Sequence, residues 1–421
     1  MPPITSSLSK TLKLKWLFAD LNSYFASCEQ QENPELRGKP VAVAPLISNS
    51  TCAIAASYEA KAFGIKTGTN IGEAKRLCPS LKVVQSQPKL YVEYHHKILN
   101  AIESIIPVEH VMSIDEVACI LDRSEQTSEA IIKLSAEIKR VVRVKVGECL
   151  TLSIGAASNK LLAKLASDMQ KPDGLTILEP ENMPHKIMHL KIQDICGIGV
   201  NMTDRLNKAG ISTMHELWDA DARKLERAWG GVLGKRFHAL LHGEDLPSPP
   251  RQKRSLGHEH VLAPEQRSLD KARTVLQELL IKAALRLRQE NLYCQRIVVN
   301  IKWSNDEGYW SEDRTFTESQ DNLLLGRVFS EIWKKAPKKK PLREQVSTIT
   351  SVLNNMLKHP VQAIALWSFV RETVDGRCIC YCAFLRQLIL CRICFQLFES
   401  ERQLLKQSFG SLRLLSVNMI L

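Results

Sequence analysis

No stretch of roughly 18 uncharged apolar residues occurs in this chain. The most apolar tract, residues 378–398, is interrupted by Arg386 and Arg392, so a membrane-spanning helix is not expected. A secretory leader is lacking too. The start, MPPITSSLSKTLKLK, is basic and rich in Ser and Thr but has no apolar core. It reads as a short disordered arm, with the cytoplasm as the expected compartment. Twelve cysteines in 421 residues are too sparse for a disulfide scaffold, and C-x-x-C pairs do not recur at zinc spacing. Most are expected to be buried, reduced thiols. No internal repeat of solenoid period is visible.

What is present is a balanced globular composition, 44% hydrophobic and 24% charged, in a chain long enough for several cores. The formal net charge of +12 favours a polyanionic partner, because Lys and Arg that neutralise phosphates release condensed counterions. Charge alone does not separate nucleic-acid binding from a surface of solvated lysines.

Apolar patterning supplies the organisation. Residues 16–19 read as a short buried strand, followed by a helix over 22–31, which places Asp20 where strand gives way to helix. Residues 40–44 read as a strand, 53–63 as a helix ended by Gly64, and 72–77 as a helical turn stopped before Pro79. A long helix is expected over 89–106, paired strands over 111–121 around Asp115 and Glu116, and an amphipathic helix over 128–144. A strand at 150–156 and a helix at 160–167 follow. Strands and helices interleave without the regular alternation of a doubly wound fold, so the class is α+β. Residues 187–242 turn helical, and the Pro-rich segment 243–250 reads as an extended linker. Beyond it, a helix at 269–289, strands at 296–303 and 314–317 and a helix at 323–335 suggest a small, basic α+β unit.

A carboxylate at the end of a buried strand and two adjacent carboxylates in an apolar hairpin are costly unless positive charge reaches them. Hard divalent cations would serve. In an uninterrupted strand Asp115 and Glu116 point to opposite faces, so sharing one site with Asp20 requires a turn or bulge at the pair. An exposed Asp-Glu turn is the plainer alternative.

The segments Asp20-Leu21-Asn22-Ser23-Tyr24-Phe25-Ala26-Ser27, Ala56-Ser57-Tyr58-Glu59-Ala60-Lys61-Ala62-Phe63-Gly64 and Ser113-Ile114-Asp115-Glu116 resemble, in order, those of the Y-family DNA polymerases. Ser158-Asn159-Lys160-Leu161-Leu162-Ala163-Lys164 and Lys171-Pro172-Asp173-Gly174 extend the match, which runs from about Trp16 to Arg343. The family includes DNA polymerase IV and UmuC-like enzymes. The resemblance implies a right-hand polymerase with palm over residues 1–23 and 88–178, fingers over 24–87, and a helical thumb with a helix-hairpin-helix over 179–243. A linker over 244–252 and an α+β little finger over 253–343 complete it.

It further implies error-prone, template-directed DNA synthesis in damage bypass. Two Mg²⁺ ions would be held by Asp20, Asp115, Glu116 and the backbone carbonyl of Leu21. Phe25 matches the steric gate, whose ring would collide with a ribose 2′-hydroxyl. Tyr58, Lys61 and Lys171 match nucleotide contacts; the family often has Arg where Lys61 stands, so a point charge replaces a bidentate fork. Gly197 and Gly199 match the hairpin whose backbone N–H groups approach a DNA phosphate. Arg251, Lys253, Arg254, His258, Arg296 and Arg314 are candidate backbone contacts to DNA. Primer–template DNA and a dNTP are the implied partners, a sliding clamp a further candidate, and the expected state is monomeric.

After Arg343, where the resemblance implies a last apolar strand, the sequence reads Glu344-Gln345-Val346-Ser347-Thr348 instead, and residues 344–421 read as a divergent tail, either frameshifted or partner-binding. An inactive DNA-binding accessory protein is therefore one rival reading, and a two-metal nuclease is the other.

Overall fold

The computed structural model describes residues 13–248, 255–303, 309–336 and 346–354, with short strand segments at 357–358, 373–374 and 377–378. Residues 1–12 of the expected arm, most of the expected tail, and Arg251, Lys253 and Arg254 lie outside the described residues; the arm's last residues are not loose, since Leu14 is buried in the core and the Lys15 N–H donates to the Ala157 carbonyl at 2.9 Å.

Strand β1 (Trp16–Leu21) is buried along its whole length. Such continuous burial is what a central strand covered on both faces requires. It lies antiparallel between β6 (Glu116–Ile120) and β7 (Leu152–Ala157). The sheet order is β5-β6-β1-β7-β8, where β5 is Val108–Val111 and β8 is Leu175–Ile177. The two-residue alternation of β1 then sorts its side chains. Leu17, Ala19 and Leu21 join the core shared with α4 (Pro88–Glu103) and α5 (Ser128–Lys145). Trp16 and Phe18 join the core shared with α6 (Lys160–Met169). Asp20 has the parity of Trp16 and Phe18, so its carboxylate belongs to the α6 side.

Side-chain caps start two of the helices that flank the central sheet. Thr127 caps α5 by accepting from the Ala130 N–H, and Asn159 caps α6 by accepting from the Leu162 N–H at 3.0 Å. Between β7 and α6 the approach is close. A Cβ on Gly155 would lie 2.1 Å from the Ala163 carbonyl oxygen and 2.3 Å from the Ser167 nitrogen, backbone atoms that cannot rotate away.

A second, smaller sheet, β3-β2-β4, joins β2 (Val41–Ala44), β3 (Ala55–Ala56) and β4 (Lys82–Gln85). It stands beside α1 (Tyr24–Glu32), α2 (Tyr58–Lys61) and α3 (Ile71–Leu77). The helix expected over 53–63 is thus only four residues long. Pairing of Ala55 and Ala56 with β2 outweighs alanine's helical preference, and Ser57, whose side chain accepts from the Ala60 N–H, starts the helix after the strand.

Residues 200–241 form four helices, α7 (Val200–Lys208), α8 (Met214–Asp219), α9 (Ala222–Trp229) and α10 (Val232–Leu241), around Leu206, Leu217, Leu225 and Leu241. Asp245, early in the expected linker, is tied back to β1: its carboxylate pairs with Lys15 at 2.5 Å and accepts from the Trp16 indole N–H at 3.0 Å.

The last unit is a sheet of β9 (Ser255–Val261), β10 (Leu292–Trp303), β11 (Tyr309–Ser319) and β12 (Val346–Asn354), ordered β11-β10-β12-β9. It packs on α11 (Leu269–Gln289) and α12 (Asn322–Trp333). Here the sequence expectation is corrected. The missing final strand is present as β12, antiparallel to both β10 and β9. The segment mixes Ser and Thr evenly with apolar residues, and its β-branched Val346, Thr348, Ile349, Thr350 and Val352 favour extended backbone.

Two outcomes follow from this packing. Gly155→Ala should lower stability by roughly 1–3 kcal/mol, read by urea unfolding, because the added methyl meets backbone on α6. A chain ended at Arg343 should lose hydrogen-exchange protection along β9 and β10, since both strands lose their shared partner.

Candidate active site

Asp20 and Glu116 are cross-strand partners at the end of β1 and β6, which puts their side chains on one face. The turn demanded by the Asp115–Glu116 pair is there. Asp115 precedes β6 in the hairpin bend, its carbonyl accepting from the Leu21 N–H at 2.9 Å, while the Met112 N–H donates to the Glu116 carbonyl. The Asp115 side chain accepts from the Ser113 hydroxyl at 2.5 Å. His95 of α4 contacts the Ile114 carbonyl through Nδ1 at 2.7 Å and steadies the same bend.

Asp20 is only 4% exposed. A carboxylate that buried needs compensation, and two lysines provide it. Lys164 of α6 hydrogen-bonds Asp20 Oδ2 and reaches Glu116 Oε1 at 2.8 Å and Asp168 Oδ1 at 3.1 Å. Lys171 reaches the other oxygen of Asp20 at 2.5 Å and Asp168 at 2.8 Å. Burial opposes the charge on Lys164, but Asp20, Glu116 and Asp168 outweigh it and raise its pKa well above the usual lysine range. Burial also opposes the charge on Lys171, where Asp168 and Asp20 prevail and the pKa rises.

Lys61 and Tyr58 come to this cluster from the second sheet's unit. The Lys61 ammonium stands 4.2 Å over the Tyr58 ring. Its pKa is pushed down by burial and by the nearby Lys171, with Asp20 opposing. Burial pushes the Tyr58 phenol up, and Lys171 counteracts this. The four residues Asp20, Tyr58, Lys61 and Lys171 therefore sense one another across two units of the chain. Phe25 lies in the first turn of α1, half-buried and stacked on Tyr91 of α4 at 4.5 Å and 25°. Tyr91 is held in turn, donating to the buried Glu29 carboxylate at 2.6 Å.

Among the described residues, no group of three or more His, Cys, Asp or Glu stands ready as a ligand set. Asp115 is turned onto Ser113, and an ammonium sits between Asp20 and Glu116. The donor chemistry nonetheless suits a hard divalent cation: the clustered groups are carboxylates, and the space between Asp20 and Glu116 already holds a positive charge.

The expected DNA contacts are dispersed. Gly197, with φ of 95°, and Gly199 flank the start of α7 and line an open hollow with Asn201, Met202 and Arg205. A Cβ at either glycine would meet nothing within 4 Å, so close approach is available there to an outside group. Arg296 pairs with Asp313 at 2.8 Å and Arg314 with Glu331 at 2.9 Å, both exposed. His258 lies on β9, its pKa lowered by burial and by Arg286 and Lys282. Sequence reasoning assigned no role to Lys164, Asp168 or Tyr91. The i, i+4 spacing of Lys164 and Asp168 was a visible signal; the meeting of Tyr91 with Phe25, 66 positions apart, left none.

Comparison with known proteins gives this geometry its relatives. A sequence model of the impB/mucB/samB family matches residues 19–168, and one of the impB/mucB/samB family C-terminal domain matches 253–354, ending with β12. DNA polymerase IV of Moorella thermoacetica is 34% identical over 300 residues, 70% of this chain and 74% of that protein. DNA polymerase IV of Clostridium kluyveri is 32% identical over 324 residues, 74% of this chain and 77% of that one. Among solved structures, a chimera of the Y-family DNA polymerases Dbh and Dpo4 superposes with a TM-score of 0.68 at 26% identity, covering 82% of this chain and all of that one. An insertion ternary complex of Dbh DNA polymerase gives 0.55 with the same coverage and identity. The two family matches span more than half of the sequence and include Asp20, Asp115 and Glu116; this chain belongs to the impB/mucB/samB family of Y-family polymerases.

Proposed function

We propose that this chain is an error-prone, template-directed DNA polymerase of damage bypass, adding deoxynucleotides to a primer 3′-hydroxyl. The observation that carries the reading is the convergence of Asp20 and Glu116 with Lys171, Lys61 and Tyr58, residues from two separate units that together suit a metal–triphosphate ligand. On this reading the sheet around β1 is the palm, the β2 sheet belongs to the fingers, α7–α10 are the thumb and the β9–β12 sheet is the little finger.

Asp20, Asp115, Glu116 and the Leu21 carbonyl would hold two Mg²⁺ ions. Bound there, the ions supply Lewis acidity to the attacking hydroxyl and neutralise charge on the departing pyrophosphate. The chain's own groups do the rest. Lys171 and Lys61 offer ammonium charges to a triphosphate, and Tyr58 offers a hydroxyl beside them. Phe25, backed by Tyr91, limits the room beside the sugar. Holding the ions would require Asp115 to leave Ser113 and the Lys164 ammonium to leave the space between Asp20 and Glu116, and would free Lys171 from Asp20 for a triphosphate. The rival of an inactive accessory protein rested on a missing last strand, and β12 fills that place. A nuclease has no need of Phe25 at that position.

Primer extension with the full chain, Mg²⁺ and single dNTPs, on undamaged and abasic templates, should yield product. Asp115→Ala should reduce the rate by ~10²–10³-fold or more, in line with loss of a group that stabilises transition-state charge; no extension by the natural sequence would overturn the reading. Phe25→Ala should raise the relative use of ribonucleotides by roughly 10–200-fold, the range one pocket's volume can discriminate, measured as the ratio of kcat/KM for rNTP and dNTP.

A further inference from the structure

Lys171 can serve a triphosphate only if the loop that carries it is held still, and the structure shows an unusual density of restraint on that loop. Residues 170–174 connect α6 to β8 through Asp173, a non-glycine residue with φ of 53°. Gly174 is closed on the loop's own start, where a Cβ would lie 1.9 Å from the Gln170 carbonyl oxygen. Inside, Asn22 is 1% exposed and its side-chain oxygen accepts from the Asp173 N–H at 2.8 Å. The Asn22 amide donates to Ser153 Oγ at 3.0 Å, and Ser153 donates in turn to the Gln170 carbonyl at 3.2 Å.

The outer restraint comes from α5. Lys139, with its side chain 18% exposed, sends its ammonium to the Asp173 carbonyl, to the Gly174 carbonyl at 3.0 Å and to the Asp173 carboxylate at 3.3 Å. Arg143, one helical turn on, stands 3.6 Å from the other oxygen of that carboxylate. Two backbone carbonyls and a carboxylate thus converge on one ammonium. A cation used this way fixes a backbone turn, since the carbonyls on the outer side of the loop take up its donors.

We propose that Lys139 is a positioning residue for nucleotide binding: it clamps the 170–174 loop from behind and so sets where Lys171 presents its ammonium to the triphosphate. Lys139 touches neither the carboxylate cluster nor Lys171, and its effect passes through the Asp173 and Gly174 backbone. The inference rests on the polymerase reading for its kinetic consequence, but the clamp itself is separable from it.

Two measurements test it on the full chain. Hydrogen exchange of the Asp173 and Gly174 amides should quicken by about tenfold or more in Lys139→Met, equivalent to ~1.4 kcal/mol of lost local protection, and stay near the natural rate in Lys139→Arg. Single-nucleotide insertion should show KM for dNTP raised about tenfold in Lys139→Met with kcat within about twofold, and rescue by Lys139→Arg. In a Lys171→Met background the same change should add nothing to KM, because the two act as one unit. Should Lys139→Met unfold, Lys139→Gln carries the same expectations. Unchanged exchange at 173 and 174, an unchanged KM, or an equal KM rise in the Lys171→Met background overturns the proposal. Absence of insertion by the natural chain overturns the polymerase reading instead, and leaves the exchange result to decide the clamp.

Discussion

A carboxylate buried as deeply as Asp20 is tenable only where positive charge reaches it, and here it is reached from both sides. Lys164 arrives from α6, which can approach because Gly155 lets the helix lie against β7. Lys171 arrives from the loop after α6. The position of α6, the parity of β1 and the register of β1 with β6 are therefore parts of one arrangement. Shift the register by one residue and Asp20 turns toward α4 and α5, into a core of Leu, Ile and Tyr where the described residues include no buried Lys or Arg.

The same constraint explains how a site can be assembled from distant parts. Tyr58 and Lys61 lie on a four-residue helix whose start depends on Ser57 and whose preceding strand pairs with β2. Their unit stands against the β1 sheet through α1, which begins three residues after the end of β1 and carries Phe25. Asp20, Glu116 and Asp168 hold Lys164 and Lys171 charged, whereas burial first and the nearby Lys171 second lower the pKa of Lys61, so an anionic ligand beside Lys61 would favour its charged form. A triphosphate with divalent cations is a ligand of suitable charge distribution.

Much of this was legible in the sequence. The buried run before Asp20, the paired strands around Asp115 and Glu116, the long helix over 89–106 and the amphipathic helix over 128–144 follow from period and composition, and the structure contains them, the long helix ending at Glu103. The need for a turn at Asp115 followed from strand geometry alone. The helix over 53–63 misled because alanine-rich sequence favours helix until a neighbouring strand offers an edge. The last strand misled because its Ser and Thr interrupt the apolar pattern that marks a strand; β12 is specified by pairing with β10 on one side and β9 on the other.

By itself, the sequence determined which residue types stand at the ends of which elements, because propensity, capping and alternation act over a few neighbouring positions. That suffices to place Asp20 at a strand end, Asp115 and Glu116 in a hairpin, and Tyr58 beside Lys61. Only the tertiary structure decided who meets whom: Lys164 with Asp20 and Glu116, Phe25 with Tyr91, Lys139 with the loop of Lys171. Those pairs are separated by tens to more than a hundred positions, and long-range contacts follow from packing and register, which no local pattern encodes.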